Sequence, residues 1–577
     1  MMPPSPQRVA GVLLSALLVL QPSHVASSYY DDKVNRNKNE EAINTYLTKG
    51  NNALAEGNLH SAGRSYEACL RMDPDQRYCL INYASVLVDL NAEEEDTDEA
   101  TKQQRAKKAQ DMLTRVLSSH PKDGDAAFNL ALLLQDSSTS EEVTREAARL
   151  YHIAVQAADA DGEERWDAIA NMAAAKQEIG ELMGEYGAIR AYERTIVILE
   201  RMVQEQEEYL KQDGNTFENG EYQYIEAELR AINEYLSKLY YGYGTVLSEL
   251  PDSDCQALKS QDSLLIDWVE PFVKGSGTEK ENEKDEAPAN HVCKMNAINA
   301  LRLAVDLNSE NFLAEHMLAA LTEGSEGNGR ASNEFVSALF DDFAETFDAK
   351  LESLGYKVPG LVGDAAKELL VSSGQSSYRS ALDAGCGTGL AGRYLRPLVE
   401  GSLVGIDLSQ KMLDLAAKCT LSKGCGLKDE DSAAGKEDDK PLYDHLASLD
   451  LETTTLEEVG AKSGFDIITA ADVFVYFGDL EKLLSNFAKL SDSTGPHGAH
   501  LIFSCERIEE TEDSKWKLQK SGRYAHTKSY VVQTAADAGY ELVGYDEITP
   551  RYEKGEPVKG HLFRFILAKG QDAKEEL

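Results

Sequence analysis

Ser380-Ala381-Leu382-Asp383-Ala384-Gly385-Cys386-Gly387-Thr388-Gly389-Leu390 decides the fold of the second half of the chain. An apolar run reaches an aspartate, glycines follow at alternate positions, and a helix pattern begins near Leu390. Glycine is needed where a backbone turns sharply and where it must approach a ligand with no side chain between. A strand, a Gly-rich turn and a helix in this order belong to a parallel sheet with helices on both faces. Taken alone the turn is ambiguous, because Gly387-Thr388-Gly389-Leu390-Ala391-Gly392 also fits the dinucleotide fingerprint.

Downstream, Ser402-Leu403-Val404-Gly405-Ile406 reads as a second strand ending in Asp407. A carboxylate there can accept both hydroxyls of a ribose, which fixes a nucleoside without saying which. The polar, acidic stretch from Leu421 to Lys440 is expected to be a disordered surface loop. Tyr443 to Leu451 resumes the strand pattern, with Asp450 as the expected acceptor for an adenine amine; an aspartate bonding its own turn is the alternative. Phe465 to Tyr476 forms the fourth strand and the lip of a pocket that Asp472 and Tyr476 should face, and Gly498 to Ser504 forms the fifth, ending near Glu506. The polar segment Gly522-Arg523-Tyr524-Ala525-His526 is expected above the sheet, with His526 as candidate base and Arg523 and Tyr524 orienting an acceptor; a structural role for His526 stays equally open.

Asp383 ahead of the first glycine makes D-x-G-x-G-x-G, which resembles motif I of S-adenosylmethionine-dependent methyltransferases, and Leu408-Ser409-Gln410-Lys411-Met412-Leu413 resembles the turn and helix that follow in them. With Leu339-Phe340-Asp341-Asp342-Phe343-Ala344-Glu345-Thr346-Phe347-Asp348, the stretch Ala471-Asp472-Val473-Phe474-Val475-Tyr476, and Gly522 to His526, residues 331 to 570 resemble tetratricopeptide-repeat-containing methyltransferases of the Rossmann-like class I. The resemblance implies a mostly parallel seven-stranded sheet and S-adenosylmethionine as cofactor. It places that cofactor on Asp383, Gly385, Gly387, Gly389, Asp407, Leu408, Met412, Asp450, Leu451 and Ala471, with an acidic residue near the methionine ammonium. By their positions His526, Tyr476 and Arg523 are the catalytic candidates, and the resemblance makes the Phe-rich segment a cap over the cofactor. Ala384 and the insertion after Leu421 depart from the pattern without removing a cofactor contact. The fourth strand lacks the Asp/Asn-Pro-Pro-Tyr arrangement associated with methylating nucleic-acid bases, and the resemblance names no acceptor.

Upstream, residues 40 to 323 read as helix after helix. Ala62, Tyr66, Cys69 and Pro74 set offsets that Ala109, Leu113, Val116 and Pro121 repeat; Ala147, Tyr151 and Ala154, then Ala297, Leu301 and Ala304, repeat their first part. Small residues at these offsets let one helix of a hairpin lie close against the other, and proline ends the second. The pattern looks like an all-α tetratricopeptide superhelix, with a generic helical bundle as the alternative. Such arrays hold a protein or peptide on a concave face. Acidic insertions at Ala92 to Thr101 and Gly275 to Ala287 interrupt the period, and Gly324 to Gly329 is expected to mark the boundary, so that 324–330 links repeats to catalytic domain.

At 577 residues the chain exceeds one core, and its net charge of -41 argues against nucleic acid as partner. Arg8 before the apolar run Val9 to Leu20, with small residues at Val25-Ala26-Ser27-Ser28, reads as a secretory signal over residues 1–27. The ending Lys574-Glu575-Glu576-Leu577, in the tail 571–577, is one conservative change from an endoplasmic-reticulum retention address, so residence in that lumen is expected, with no stable membrane span after cleavage. Cys255 with Cys293, or Cys419 with Cys425, can pair there, whereas Cys69 and Cys386 read as small buried residues. Three functions are consistent with this: a methyltransferase with a partner-binding array, a non-catalytic scaffold that binds S-adenosylmethionine, and a nicotinamide-dependent oxidoreductase, the last disfavoured by Asp383 and the fourth strand.

Overall fold

The computed structural model describes residues 38–94, 97–137, 140–211, 221–258, 289–322, 329–421, 440–495, 497–510, 515–553 and 555–567. The expected signal segment, the C-terminal address, the second acidic insertion, nearly all of the Gly-rich boundary and most of the stretch after Leu421 lie outside the described residues. The chain divides into two compact units, Ser5–Asn308 and, essentially, Ser309–Leu577.

In the first unit helices follow one another and most pack on their successors, beginning with Lys38–Ala55, Leu59–Met72 and Arg77–Glu93. Their starts are set by side-chain caps: Asn58, Gln76, Asp98 and Ser140 each accept from an amide three residues on. The repeating positions are the seams, since Ala62, Tyr66, Cys69, Ala109, Leu113, Val116, Ala147, Tyr151, Ala154, Ala297, Leu301 and Ala304 are all buried. Gly50 shows why small residues are required: a Cβ there would lie 2.4 Å from the Tyr66 ring. Cys255 is bonded to Cys293, as the sequence allows. Cys69 differs from expectation, because the helix hairpin brings it onto Cys79 and the two form a disulfide instead of packing as small apolar groups. Among the described residues no helix is long and apolar enough to cross a membrane.

The second unit is built on a mixed sheet. Strands β1 (Tyr378–Ala384), β2 (Val399–Asp407), β3 (His445–Ser448), β4 (Ile467–Ala470) and β5 (Ala499–Arg507) run parallel in the order β3-β2-β1-β4-β5. Two short strands, β6 (Trp516–Leu518) and β7 (Tyr524–His526), attach to β5 through β7. The path continues from β5 through β11 (Gly560–Leu567) to β8 (Tyr540–Ile548), both pairings antiparallel; β9 (Tyr552–Glu553) and β10 (Glu556–Pro557) form a separate hairpin. The expected seven strands are therefore the main path of a nine-stranded sheet, which β6 and β7 complete. The middle of the sheet is enclosed on both faces: every residue of β4 is buried, and Phe474 stacks on Phe503 with centroids 3.8 Å apart.

The helix Phe312–Thr322 belongs to this second unit, so the division falls one helix earlier than the Gly-rich stretch. His316 bonds the Gly522 carbonyl through Nε2 at 2.8 Å and stacks on Phe335 with centroids 4.0 Å apart. Ala314, Met317 and Leu321 are buried with it. A fragment starting at Ser309 should consequently be more stable in urea than one starting at Ala331, by about 3 kcal/mol or more from the apolar surface the shorter one exposes. Equal unfolding midpoints would show that this helix contributes nothing to the second unit.

Candidate active site

A cavity, open at its mouth, lies where the turns after β1, β2, β3 and β4 converge. This is the point at which the sheet order reverses, β1 having β2 on one side and β4 on the other. Gly385, Gly387 and Gly389 have φ of 73°, 52° and 96°, a left-handed backbone that other residues rarely adopt. At Gly385 the space is closed as well, since a Cβ would meet Val473 at 2.3 Å. The turn is pinned to β2: the amides of Gly385 and Cys386 both donate to the Ile406 carbonyl, at 2.7 and 2.9 Å, and the Gly387 amide donates to Asp407 Oδ2 at 2.9 Å.

Asp407 lines the cavity, and its Oδ1 accepts from the Ser409 amide at 2.9 Å. Each oxygen thus keeps acceptor capacity toward the cavity. Burial raises its carboxyl above the usual range, opposed by the amides of Ser409 and Gly387. Leu408, Leu451, Ala471, Gly385 and Gly387 also line the cavity. Met412, fully buried, and Gly389 are not among the lining residues; they shape the turns from behind.

Asp450 lines the cavity but is already engaged. Arg330 Nη1 lies 3.3 and 3.1 Å from its two oxygens, Asn333 donates to Oδ2 at 3.0 Å, and the Glu452 amide donates to Oδ1 at 2.9 Å. Burial raises its carboxyl, yet these donors prevail and hold it below the ordinary value. An adenine amine reaches Asp450 only by displacing one of them. Both sequence readings of this residue are therefore present in one network, the bond within its own turn and the cavity position.

Asp383 does not face the cavity. It is fully buried beneath the turn, accepting from Tyr443 Oη at 2.7 Å and Thr469 Oγ1 at 3.3 Å. Burial pushes its carboxyl up to about 6 against those two bonds. The expectation that it meets an ammonium group gives way to a role in holding β1, β4 and the Tyr443 segment together.

The catalytic candidates separate. Tyr476 lines the cavity, packed edge-on against Phe340 with centroids 5.5 Å apart, and burial raises its hydroxyl. His526 does not reach it: the ring is fully buried, donates through Nε2 to the Gly478 carbonyl at 3.2 Å, and burial pushes it down to about 4. A neutral imidazole walled off from the cavity cannot serve as its base, because β7, which carries it, adds to the sheet instead of lying above it. Arg523 is likewise buried, donating to Glu506 Oε1 at 3.2 Å and Glu553 Oε1 at 2.7 Å, and Tyr524 is fully buried, so neither orients an acceptor.

Sequence reasoning missed Arg330, Tyr356 and Arg551. Arg330 lines the cavity from within the expected linker, and its guanidinium sits 5.0 Å from the Phe477 ring centroid. Arg551, 1% exposed, ion-pairs with Asp472, Glu506 and Glu553. No local motif marks an arginine that acts at such sequence distance. The Phe-rich segment does close on the cavity through Phe340 and Phe347, latched by the Ser409 hydroxyl to Asp341 and by the Thr388 hydroxyl to Asp348.

Residues 382–496 match the family model described as a methyltransferase domain, so the chain carries such a domain. No curated protein matches the chain. Solved structures similar to it include a magnesium protoporphyrin IX methyltransferase from Synechocystis with bound SAH, at 15% identity over 40% of this chain and 99% of that one, TM-score 0.28. An S-adenosylmethionine-dependent methyltransferase from Clostridium acetobutylicum is 18% identical over 39% and 98%, TM-score 0.27. A 1,6-didemethyltoxoflavin-N1-methyltransferase from Burkholderia thailandensis is 13% identical over 41% and 89%, TM-score 0.28.

A carboxyl raised by burial favours the folded state while protonated and loses that advantage as pH rises through its folded value. For Asp383 the window runs from about 3.8 to about 6. Asp383→Asn should therefore gain stability relative to wild type across this window, by on the order of 2 kcal/mol. Urea unfolding of both proteins at several pH values checks it; a difference that stays constant with pH would place the ionisation elsewhere.

Proposed function

We propose that this chain is an S-adenosylmethionine-dependent methyltransferase in which the cofactor lies along the Gly-rich turn with its ribose on Asp407. The observation that carries the reading is Asp407 itself: a carboxylate at the end of β2, pinned by two amides, with acceptor capacity left on both oxygens toward the cavity. Gly385 and Gly387 offer bare backbone to the amino-acid end, and Leu408 and Leu451 offer apolar contact to the adenine. S-adenosylmethionine supplies a methyl group already activated by its sulfonium, so the protein's part is positioning and exclusion of water. Phe340 and Phe347 supply that exclusion, and Tyr476 stands at the acceptor side of the lip.

The helical unit is read as a tetratricopeptide-like array that holds a protein or peptide partner. Sequential packing of its helices and the burial of small residues at the repeating offsets support this. The lumen of the endoplasmic reticulum is the proposed compartment, which the bonded pairs Cys69–Cys79 and Cys255–Cys293 favour, because such bonds persist where the medium is oxidising.

Asp407→Ala should weaken S-adenosylmethionine binding in calorimetry by on the order of 2 kcal/mol or more, through loss of a charged acceptor for two hydroxyls. Unchanged affinity would remove Asp407 from the site and with it this reading. For the helical unit, the double variant Cys69→Ser, Cys79→Ser should lose about 3 kcal/mol of stability in urea melts followed by circular dichroism, from the freed loop between them. An unshifted midpoint would show that the two cysteines are not bonded in the purified protein.

A further inference from the structure

Behind the fourth-strand lip lies a group of charges that the methyl donor's site does not use. Arg551 donates to Asp472 Oδ2 at 2.9 Å, to Glu553 Oε1 at 2.8 Å and to Glu506; Arg523 donates to Glu506 and Glu553. Three carboxylates thus face two guanidiniums. Asp472 Oδ1 is buried without a hydrogen-bond partner, and Asp472 is a lining residue of the cavity.

The residue is held there at a cost. Asp472 has φ of 62°, the one non-glycine residue with positive φ among those described, and its amide is tied to Ser504 Oγ at 2.9 Å. Backbone strain and an unsatisfied buried oxygen in one residue point to a ligand rather than to packing. The walls around it are largely aromatic: Phe340, Phe347, Tyr356 and Tyr476 line the same cavity. Burial above all, and then the charge of Asp472, keeps the Tyr356 and Tyr476 hydroxyls protonated, so the rings stay neutral. Neutral ring faces beside an unpaired carboxylate oxygen make a receptor for an organic cation.

We infer that the methyl acceptor is a primary amine borne on an apolar or aromatic group, recognised as its ammonium by Asp472 Oδ1 within this ring of aromatic side chains. The inference rests on the reading that the methyl donor occupies the Asp407 side of the cavity. The acceptor ammonium gives up one proton to water. The freed nitrogen lone pair forms the bond to the methyl carbon as the methyl–sulfur bond breaks, its electron pair staying on sulfur. The methylated product leaves as an ammonium. The chain's net charge of -41 favours the approach of a cation over that of an anion.

The test titrates full-length protein, saturated with S-adenosylhomocysteine, with phenethylamine, with its neutral counterpart 2-phenylethanol, and with an acetylated peptide bearing one lysine. The amine should bind about tenfold tighter than the alcohol, the size expected of a charged hydrogen bond. Asp472→Asn, which suits a left-handed backbone, should abolish that preference while leaving S-adenosylhomocysteine affinity unchanged. Phe340→Leu should weaken the amine about threefold and spare the alcohol, by loss of a ring face. Binding of the peptide in place of phenethylamine would assign the amine to a polypeptide and leave the chemistry as stated. Equal affinity for amine and alcohol, or an Asp472→Asn variant that loses S-adenosylhomocysteine instead of amine, overturns the proposal. Failure of S-adenosylhomocysteine to bind wild-type protein would refute the donor reading by itself, and the same amine and alcohol titrations without it then decide this one.

Discussion

The second unit depends on one local arrangement, the Gly-rich turn folded onto the end of β2. Three consecutive amides, those of Gly385, Cys386 and Gly387, donate to the Ile406 carbonyl and the Asp407 carboxylate. A left-handed backbone is what points them that way, and at Gly385 the neighbouring Val473 leaves no room for a side chain. Because β1 is flanked by β2 and β4, the turn opens a crevice where both neighbours end. Asp407, Leu408 and Ala471 enter the cavity through that placement, since each ends or directly follows a strand held in register with β1.

Around the crevice, charge is arranged by burial as much as by pairing. Asp383 and His526 are both fully enclosed, and in each the charged form is penalised: the carboxyl moves up and the imidazole moves down. Their work is structural, the one tying Tyr443 and Thr469 to β1, the other fastening β7 to the Gly478 carbonyl. Arg551 does the reverse. It keeps its charge in a buried place because Asp472, Glu506 and Glu553 surround it. A guanidinium suits this position, since its planar fork can satisfy several carboxylates at once. The same pairing steadies Asp472 in a backbone conformation that it would otherwise leave.

The helical unit follows a simpler constraint. Close approach of paired helices needs small side chains at the seam, and at Gly50 even a methyl group would collide with Tyr66. Large residues then fill the gaps, with Tyr66 bonding Asn51 and Tyr151 bonding Gln135 through their hydroxyls, so that buried rings keep their polar ends satisfied. The hairpin that brings Cys69 beside Cys79 is a consequence of the same packing, formed across a separation of 10 residues.

The sequence by itself determined the elements whose cause is local. Glycines at alternate positions after an apolar strand require the left-handed turn, an aspartate at the end of the next strand requires the carboxylate at the crevice, and small residues at helical offsets require close helix pairs. It also placed Asp472, Tyr476, Phe340 and Phe347 at the cavity, because residues that follow a parallel strand, or a segment resembling a cap, have few other places to go. What only the tertiary structure decided were contacts made at long sequence separation. Whether Asp383 lay in the cavity or under it turned on Tyr443, 60 residues on; whether Arg330 was linker or lining turned on Asp450, 120 residues on. His526 was open to a catalytic or a structural role until β7 joined the sheet beside β5 and buried it. A residue's type and its neighbours state which bonds it can make, but which partners lie within 3 Å depends on how the strands are ordered, and no local pattern contains that order.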